Sequence, residues 1–302
     1  MGTPEFAVPP LERAYGAGHD VAAVFTQPDR PRNRGMKISF SPVKEAALSH
    51  GTQVHQPESL RDPMVGQTIR ELDCEVIAVV AYGKLLPRVI LDLPAFGCIN
   101  VHASLLPKYR GAAPIHWAIM KGETQTGVTS MLMSDKLDAG DTLLSSTVSI
   151  GDDETAGELH DRLSLLTAEL LEETLDGMSS GKIGRTPQDH NEATFAPPIH
   201  KSISPIDWSD TALGIKRKVR GLNPWPLATA ELNGTVCKVF SVDIGGSRPL
   251  TGAIGEIASV GSDGIEMICA DGTVIIKELQ APGARRMTAA EYLRGKRINI
   301  SD

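Results

Sequence analysis

The chain has 302 residues, 41% of them hydrophobic, and a formal net charge of −7 at pH 7. That length suits two domains with real cores, and the lack of any run of ~18 apolar residues speaks against a membrane-spanning helix. Four scattered cysteines, Cys74, Cys98, Cys237 and Cys269, form no CxxC pair and sit near no histidine cluster, so neither a disulfide framework nor a metal site is expected.

Residues 4–15 carry helical apolar spacing with proline near the first turn, where a missing N–H costs nothing, and Gly16 and Gly18 end the run. A compact apolar strand is predicted at 21–26. A short helix at 42–50 leads through Gly51 to a strand at 54–56. Residues 60–72 are predicted helical and 76–82 a central strand. A helix at 114–122 precedes strands at 127–133 and 142–150. The long helix at 153–176 places Leu159, Leu163, Leu166, Leu170 and Leu171 on one face. Alternation of this kind indicates an α/β sheet with helices on its faces.

From Gly177 the character changes. Residues 177–206 are rich in Gly, Pro, Ser and His and are predicted to be a linker, leaving 1–176 and 207–302 as the two domains. A basic helix at 211–220 is followed by short β runs at 228–232, 236–242, 252–260, 264–269 and 274–279. Turns at Asn233-Gly234, Asp263-Gly264 and Asp271-Gly272 separate several of them, the pattern of a small barrel.

The chemistry-bearing residues lie in the first domain. A short strand after the apolar run 76–80 delivers Asn100 and His102 to one face, since side chains two apart point the same way. Leu137-Asp138-Ala139-Gly140-Asp141 supplies a distant carboxylate. Singly these residues are ordinary: a lone histidine after an apolar strand is more often structural than catalytic, and the second motif can be a plain turn. Together, an amide donor, an imidazole and a carboxylate can stabilise an oxyanion and move a proton without metal or covalent intermediate. The adjoining stretch from Lys108 through Gly111 and Pro114 is a loop just past a strand end, where open α/β sheets bind ligands.

A dinucleotide-binding dehydrogenase would also be α/β, but no GxGxxG follows a first strand. A nucleic-acid-binding module without catalysis would explain the barrel and the basic clusters, though not Asn100, His102 and Asp138 together. Residues 199–302 carry a balance of +2 and residues 1–198 one of −9. Basic clusters stand at Arg30, Arg32, Arg34 and Lys37, at Lys216, Arg217, Lys218 and Arg220, at Arg285-Arg286, and at Arg294, Lys296 and Arg297. Phosphate contacts need local positive potential, not a basic whole protein.

The stretch Asn100-Val101-His102-Ala103-Ser104-Leu105-Leu106-Pro107-Lys108-Tyr109-Arg110-Gly111-Ala112-Ala113-Pro114-Ile115 resembles the signature of the folate-dependent formyltransferases. Residues 1–9, the loop from 27–30 to 41–44, and Arg220-Gly221-Leu222-Asn223-Pro224-Trp225-Pro226 resemble the methionyl-tRNA branch of that family, and the match runs from end to end. The resemblance implies a Rossmann-like formyltransferase domain followed by a small OB-like β-barrel that contacts tRNA. It implies 10-formyltetrahydrofolate as co-substrate, no metal, and methionyl initiator tRNA as partner, in a cytoplasmic monomer acting in translation initiation. Carried over residue by residue, Asn100, His102 and Asp138 are catalytic, and Ser104, Leu105, Leu106 and Pro107 meet the folate. Arg34, Lys37 and Lys44, on a mobile loop at 30–44 that enters the acceptor stem, contact tRNA together with Lys216 and Lys218. Asp141 is expected to shape its turn.

Formyl transfer to a small amine, a nucleotide-sugar or purine precursor, is the alternative within the superfamily; the second domain and the 30–44 loop argue against it. Members of the family normally begin with a hydrophobic strand ahead of Gly-Thr-Pro-Glu-Phe-Ala, so a start a few residues upstream of Met1 is expected. Residues 196–201 also depart from the lysine-rich form of the family.

Overall fold

The computed structural model describes residues 1–32, 37–247 and 252–295. The chain divides into two compact units. The first holds Met1–Pro114, Gln125–Ser149 and His160–Ala196, the second Ile115–Thr124, Ile150–Leu159 and Pro197–Asp302.

In the first unit a short 3-10 turn leads into α1 (Val8–Gly16), followed by β1 (Val24–Phe25), β2 (Arg30–Arg32), β3 (Lys37–Ser39), α2 (Pro42–Ser49), β4 (Val54–His55) and α3 (Pro63–Glu71). Then come β5 (Ile77–Val79), α4 (Arg88–Leu91), β6 (Cys98–His102) and β7 (Arg110–Gly111). After α5 (Pro114–Lys121), which apart from Pro114 belongs to the second unit, come β8 (Gln125–Leu132), β9 (Thr142–Ser149) and α6 (Ala156–Ser179), whose residues from His160 on belong to the first unit, and β10 (Phe195–Ala196) ends that unit. The main sheet runs β5-β6-β8-β9; β1 pairs with β4 and β7 with β10, both in parallel.

Local chemistry sets the helix starts. Ser41 caps α2 by accepting the Lys44 N–H, with Pro42 at the first helical position. Asp62 does the same for Met64 ahead of Pro63, which is why the helix expected from residue 60 begins at 63. Thr155 and Glu158 form a reciprocal capping box, so α6 begins at Ala156 rather than 153. Four of the five predicted leucines of α6 are buried, and Leu166 is half-buried.

Other expectations change. The strand expected at 21–26 narrows to Val24–Phe25, and the one at 76–82 to Ile77–Val79. Between these strands, Gly2 pairs in parallel with Val80 and donates its N–H to Phe25 O, while Val80 N–H donates to Met1 O. The Met1 ammonium, 2.6 Å from Ala78 O, is buried, and that burial lowers its pKa to about 6. A cavity of about 370 Å³ opens beside it, lined by Met1, Ala23, Phe25, Ile77 and Ala78 among others; Asn100, His102 and Asp138 do not line it. The loop expected at 30–44 contains an antiparallel pair, β2 with β3. An apolar cluster that includes Phe25, Ile69, Val79, Tyr82, Ile90 and Cys98 forms a core of this unit.

The second unit is an OB-like β domain. Its strands β11 (Ala228–Leu232), β12 (Thr235–Ser247), β13 (Ile257–Gly261), β14 (Gly264–Ile268) and β15 (Gly272–Gln280) form one antiparallel sheet in the order β11-β12-β15-β14-β13, and β16 (Met287–Thr288) pairs with β15. Register shifts along β12 against β15 bend the long strand. The helix α7 (Ala212–Gly221), capped by Thr211, buries Ile215 and Val219, and α8 (Ala289–Gly295) closes the described chain.

Candidate active site

Strand β6 is flanked by β5 and β8, which fixes where its side chains go. Asn100 pairs with Val79 on one side and Met131 on the other; His102 pairs with Thr129. Two residues apart on one strand, Asn100 and His102 share a face. Asn100 is half-buried, and its amide has no hydrogen bond within the protein among the described residues. His102 is 7% exposed.

The His102 ring is fixed from one side. Its Nε2 lies 2.9 Å from Tyr109 O. A carbonyl only accepts, so Nε2 carries a hydrogen and donates. Nδ1 is therefore the nitrogen left for other partners, and it faces Asp138 Oδ2 at 3.8 Å. The same carboxylate oxygen accepts the Gly111 N–H at 2.8 Å. Tyr109, Gly111 and Asp138 all have positive φ, at 59°, 120° and 46°. At Gly111 this is bound up with close packing: an added Cβ would lie 2.7 Å from Ala196 O. At Gly140 there is no room either, because a Cβ would lie 1.8 Å from Leu132 O. The loop carrying Asp138 is thereby pressed against the end of β8.

A second loop starts where β6 ends. Thr129 Oγ1 donates to Ser104 O at 2.7 Å and accepts the Leu106 N–H at 3.1 Å. Ser104 is buried, and its hydroxyl donates to Lys108 O at 2.6 Å, so it shapes the loop from within. Leu105 leans onto Gly127 of β8. Leu105, Leu106 and Pro107 are half-buried, and the Leu106–Pro107 peptide is cis. Rigid backbone under half-buried apolar side chains fits one face of a flat heterocycle such as a pterin.

Residues 186–196, placed in the linker by composition, lie on this site. Thr186 pairs with Thr142, Thr194 receives the Tyr109 N–H through its hydroxyl and the Arg110 N–H through its carbonyl, and β10 runs beside β7. Gln188 spans Arg110 and the 138–140 loop. Sequence reasoning missed Thr129, Gln188 and Thr194. The available signals were slight: a threonine inside the expected strand 127–133 and a β-prone Thr194-Phe195 ahead of two prolines. Among the described residues, no group of three His, Cys, Asp or Glu could hold a metal.

Residues 1–175 match the formyl transferase family, and residues 198–297 match the formyl transferase C-terminal domain. The methionyl-tRNA formyltransferase of Trichlorobacter lovleyi is 49% identical over 98% of this chain and 92% of its own length; that of Acetivibrio thermocellus is 46% identical over 99% and 96%. The chain belongs to the methionyl-tRNA formyltransferase family. Solved structures show the same fold at low identity. WlaRD, a sugar 3N-formyl transferase, gives a TM-score of 0.65 at 16% identity over 94% of this chain and 97% of that one. HypX from Aquifex aeolicus, solved with tetrahydrofolic acid, gives 0.60 at 20% identity over 84% of this chain and 45% of that larger one.

The basic residues that the family resemblance assigns to tRNA are placed unequally. Arg34 lies outside the described residues, as do Lys296 and Arg297 of the last cluster; Lys37 opens β3. Lys44 is engaged within the protein: its Nζ is 2.5 Å from Asp29 Oδ2 and 2.6 Å from Gln56 Oε1, and lies over the Phe40 ring. Burial works against ionising Asp29, but hydrogen bonds from Lys44 and Gln56 and the Lys44 charge outweigh it and hold the carboxyl below the usual range. Lys216 pairs with Asp153 at 2.5 Å, and Lys218 donates to Pro205 O at 2.5 Å, with burial lowering its pKa. Asp153 is 81% exposed, so Lys216 can exchange that partner for a phosphate at small cost. Arg285 and Arg286 also have carboxylate partners, Glu291 and Glu278.

Proposed function

We propose that the chain transfers the formyl group of 10-formyltetrahydrofolate to the α-amine of methionyl initiator tRNA. The observation that carries the reading is identity of 46–49% to methionyl-tRNA formyltransferases over both units, against 16% to a sugar formyl transferase of the same fold. When bound, the folate would supply an activated formyl carbon, and Ser104, Leu105, Leu106 and Pro107 would hold the folate.

The chain's own residues do the rest. The Asn100 amide, with no partner among the described residues, donates to the oxygen on which charge develops, a contact typically worth about 10²–10³ in rate. His102, held through Nε2 by Tyr109 O, presents Nδ1 toward Asp138 and helps stabilise the same developing charge. Asp138 orients that imidazole and takes the proton that the attacking amine loses, and the same proton passes to N10 of the folate as the formyl C–N10 bond breaks, so that tetrahydrofolate leaves with its nitrogen neutral. Proton transfer by a positioned group adds about 10²–10⁴. The second unit and the 30–44 loop hold the tRNA. Of the assigned residues, Arg34, Lys37 and Lys216 meet phosphate, Lys218 supports its helix, and Lys44 fixes the base of the loop through Asp29. No helix among the described residues is long and apolar enough to cross a membrane; the reading is of a cytoplasmic enzyme that acts as a monomer.

The test is formyl transfer by the 302-residue chain from 10-formyltetrahydrofolate to methionyl initiator tRNA, with unacylated tRNA and a nucleotide-linked amino sugar as alternative acceptors. Product on the aminoacylated tRNA alone is expected. Product on the sugar with none on tRNA would overturn the reading.

A further inference from the structure

Gln188 lies in a proline-containing stretch with exposed neighbours, Pro187 and Asp189, yet its own side chain is half-buried. Its Oε1 accepts from Arg110 Nη2 at 2.6 Å and Arg110 Nε at 3.2 Å, and its Nε2 donates to Asp138 O at 3.0 Å and Gly140 O at 2.7 Å. The amide can sit only this way round, because a guanidinium solely donates and backbone carbonyls solely accept. All its hydrogen-bonding capacity is used, and it is used across two segments that the sheet does not join.

Those two segments are the ones that present the reacting groups. Arg110, 5% exposed and also 3.0 Å from His190 Nδ1, follows the residue whose carbonyl holds the His102 ring. Asp138 has φ of 46°, a left-handed conformation that a non-glycine residue keeps only when its surroundings dictate it. Gly111 N–H holds the Asp138 carboxylate, and Gln188 holds the carbonyl of the same residue. We infer that Gln188 is a positioning residue for formyl transfer, clamping the Asp138 loop onto the Arg110 segment so that the carboxylate stays beside His102 Nδ1. The inference rests on Asp138 taking part in the reaction as proposed above.

Gln188→Glu separates the two halves of the clamp. A carboxylate keeps Arg110 paired but cannot donate to Asp138 O or Gly140 O. The expected result is a cooperatively folding enzyme whose kcat falls about 10–100-fold through misplacement of a reacting group, with KM for both substrates changed less than about twofold. Placed in an Asp138→Ala background, Gln188→Glu should cause no further fall, because the group it positions is gone. A merely structural role predicts the same fractional fall in both backgrounds, and that outcome overturns the inference, as does a Gln188→Glu enzyme with normal kcat beside an inactive Asp138→Ala. Near-normal turnover in Asp138→Ala itself would instead sink the catalytic reading, and this inference with it. If Gln188→Glu does not melt cooperatively, Gln188→Met, similar in length and without donors, is carried through the same cycle.

Discussion

Thr129 stands opposite His102 across the β6–β8 pairing, and its hydroxyl holds both Ser104 O and the Leu106 N–H. One strand register therefore sets the imidazole and the apolar loop together. A slip of one residue would turn both side chains to the other face of the sheet. Thr129→Val keeps the shape but leaves the half-buried Leu106 N–H without its acceptor. The expected cost is about 1–3 kcal/mol in urea unfolding, with KM for 10-formyltetrahydrofolate raised about tenfold if ~1.4 kcal/mol of loop order is lost on binding. Unchanged KM with lowered stability would separate this loop from the folate.

Removing either group proposed to react should leave a folded enzyme with little turnover. His102→Ala and Asp138→Ala are expected to unfold cooperatively and to lose about 10²–10⁴ in the single-turnover rate. Rapid-quench measurement with saturating folate isolates that step. A variant that keeps near-normal rate is not part of the chemistry.

Gly111→Ala tests the carboxylate anchor without touching a reacting side chain. The new Cβ meets Ala196 O in a backbone conformation unfavourable to L-residues, an expected strain of about 1–3 kcal/mol. Relief of that strain moves the N–H away from Asp138, so turnover should fall together with the urea midpoint. A stable, fully active Gly111→Ala enzyme would show that Asp138 does not depend on this bond.

The Lys44–Asp29 pair predicts a pH dependence of stability. The Asp29 carboxyl is held below the usual range in the folded chain and returns to an ordinary value, about 3.9, on unfolding. Its stabilisation is complete above that unfolded value and is lost as pH falls through the lower folded one. Lys44→Met should cost about 1.5–3 kcal/mol at pH 7, and the gap from the wild type should narrow as the pH drops below about 4. Urea unfolding at pH 7, 5 and 3.5 measures it; a gap constant with pH would mean that Lys44 acts by packing alone.

Much of the fold was legible because it is periodic. The leucine spacing of α6 and the placement of Asn100 and His102 on one face of β6 follow from repeat lengths of 3.6 and 2. The Pro42 helix start follows from capping chemistry, whereas the helix expected from residue 60 starts only at Pro63, behind its Asp62 cap. The parts that were not legible are held by partners remote in sequence. Gln188 meets Asp138 fifty residues away and Arg110 seventy-eight away, and nothing in a Gly- and Pro-rich stretch signals such contacts. Lys44 illustrates the converse: the family resemblance assigned it a tRNA contact, while Asp29 and Gln56, invisible as partners in the sequence, already engage it.

The return of residues 186–196 to the site bears on where the chain can be cut. A fragment ending at residue 175, where the first family match stops, keeps Asn100, His102 and Asp138. It lacks the Thr194 that grips Tyr109 and Arg110, the strand β10 beside β7, and the Gln188 amide. Such a piece would own the reagents without the vice that holds them, and in the growing polypeptide the reacting centre takes its final form only after Ala196 has been made.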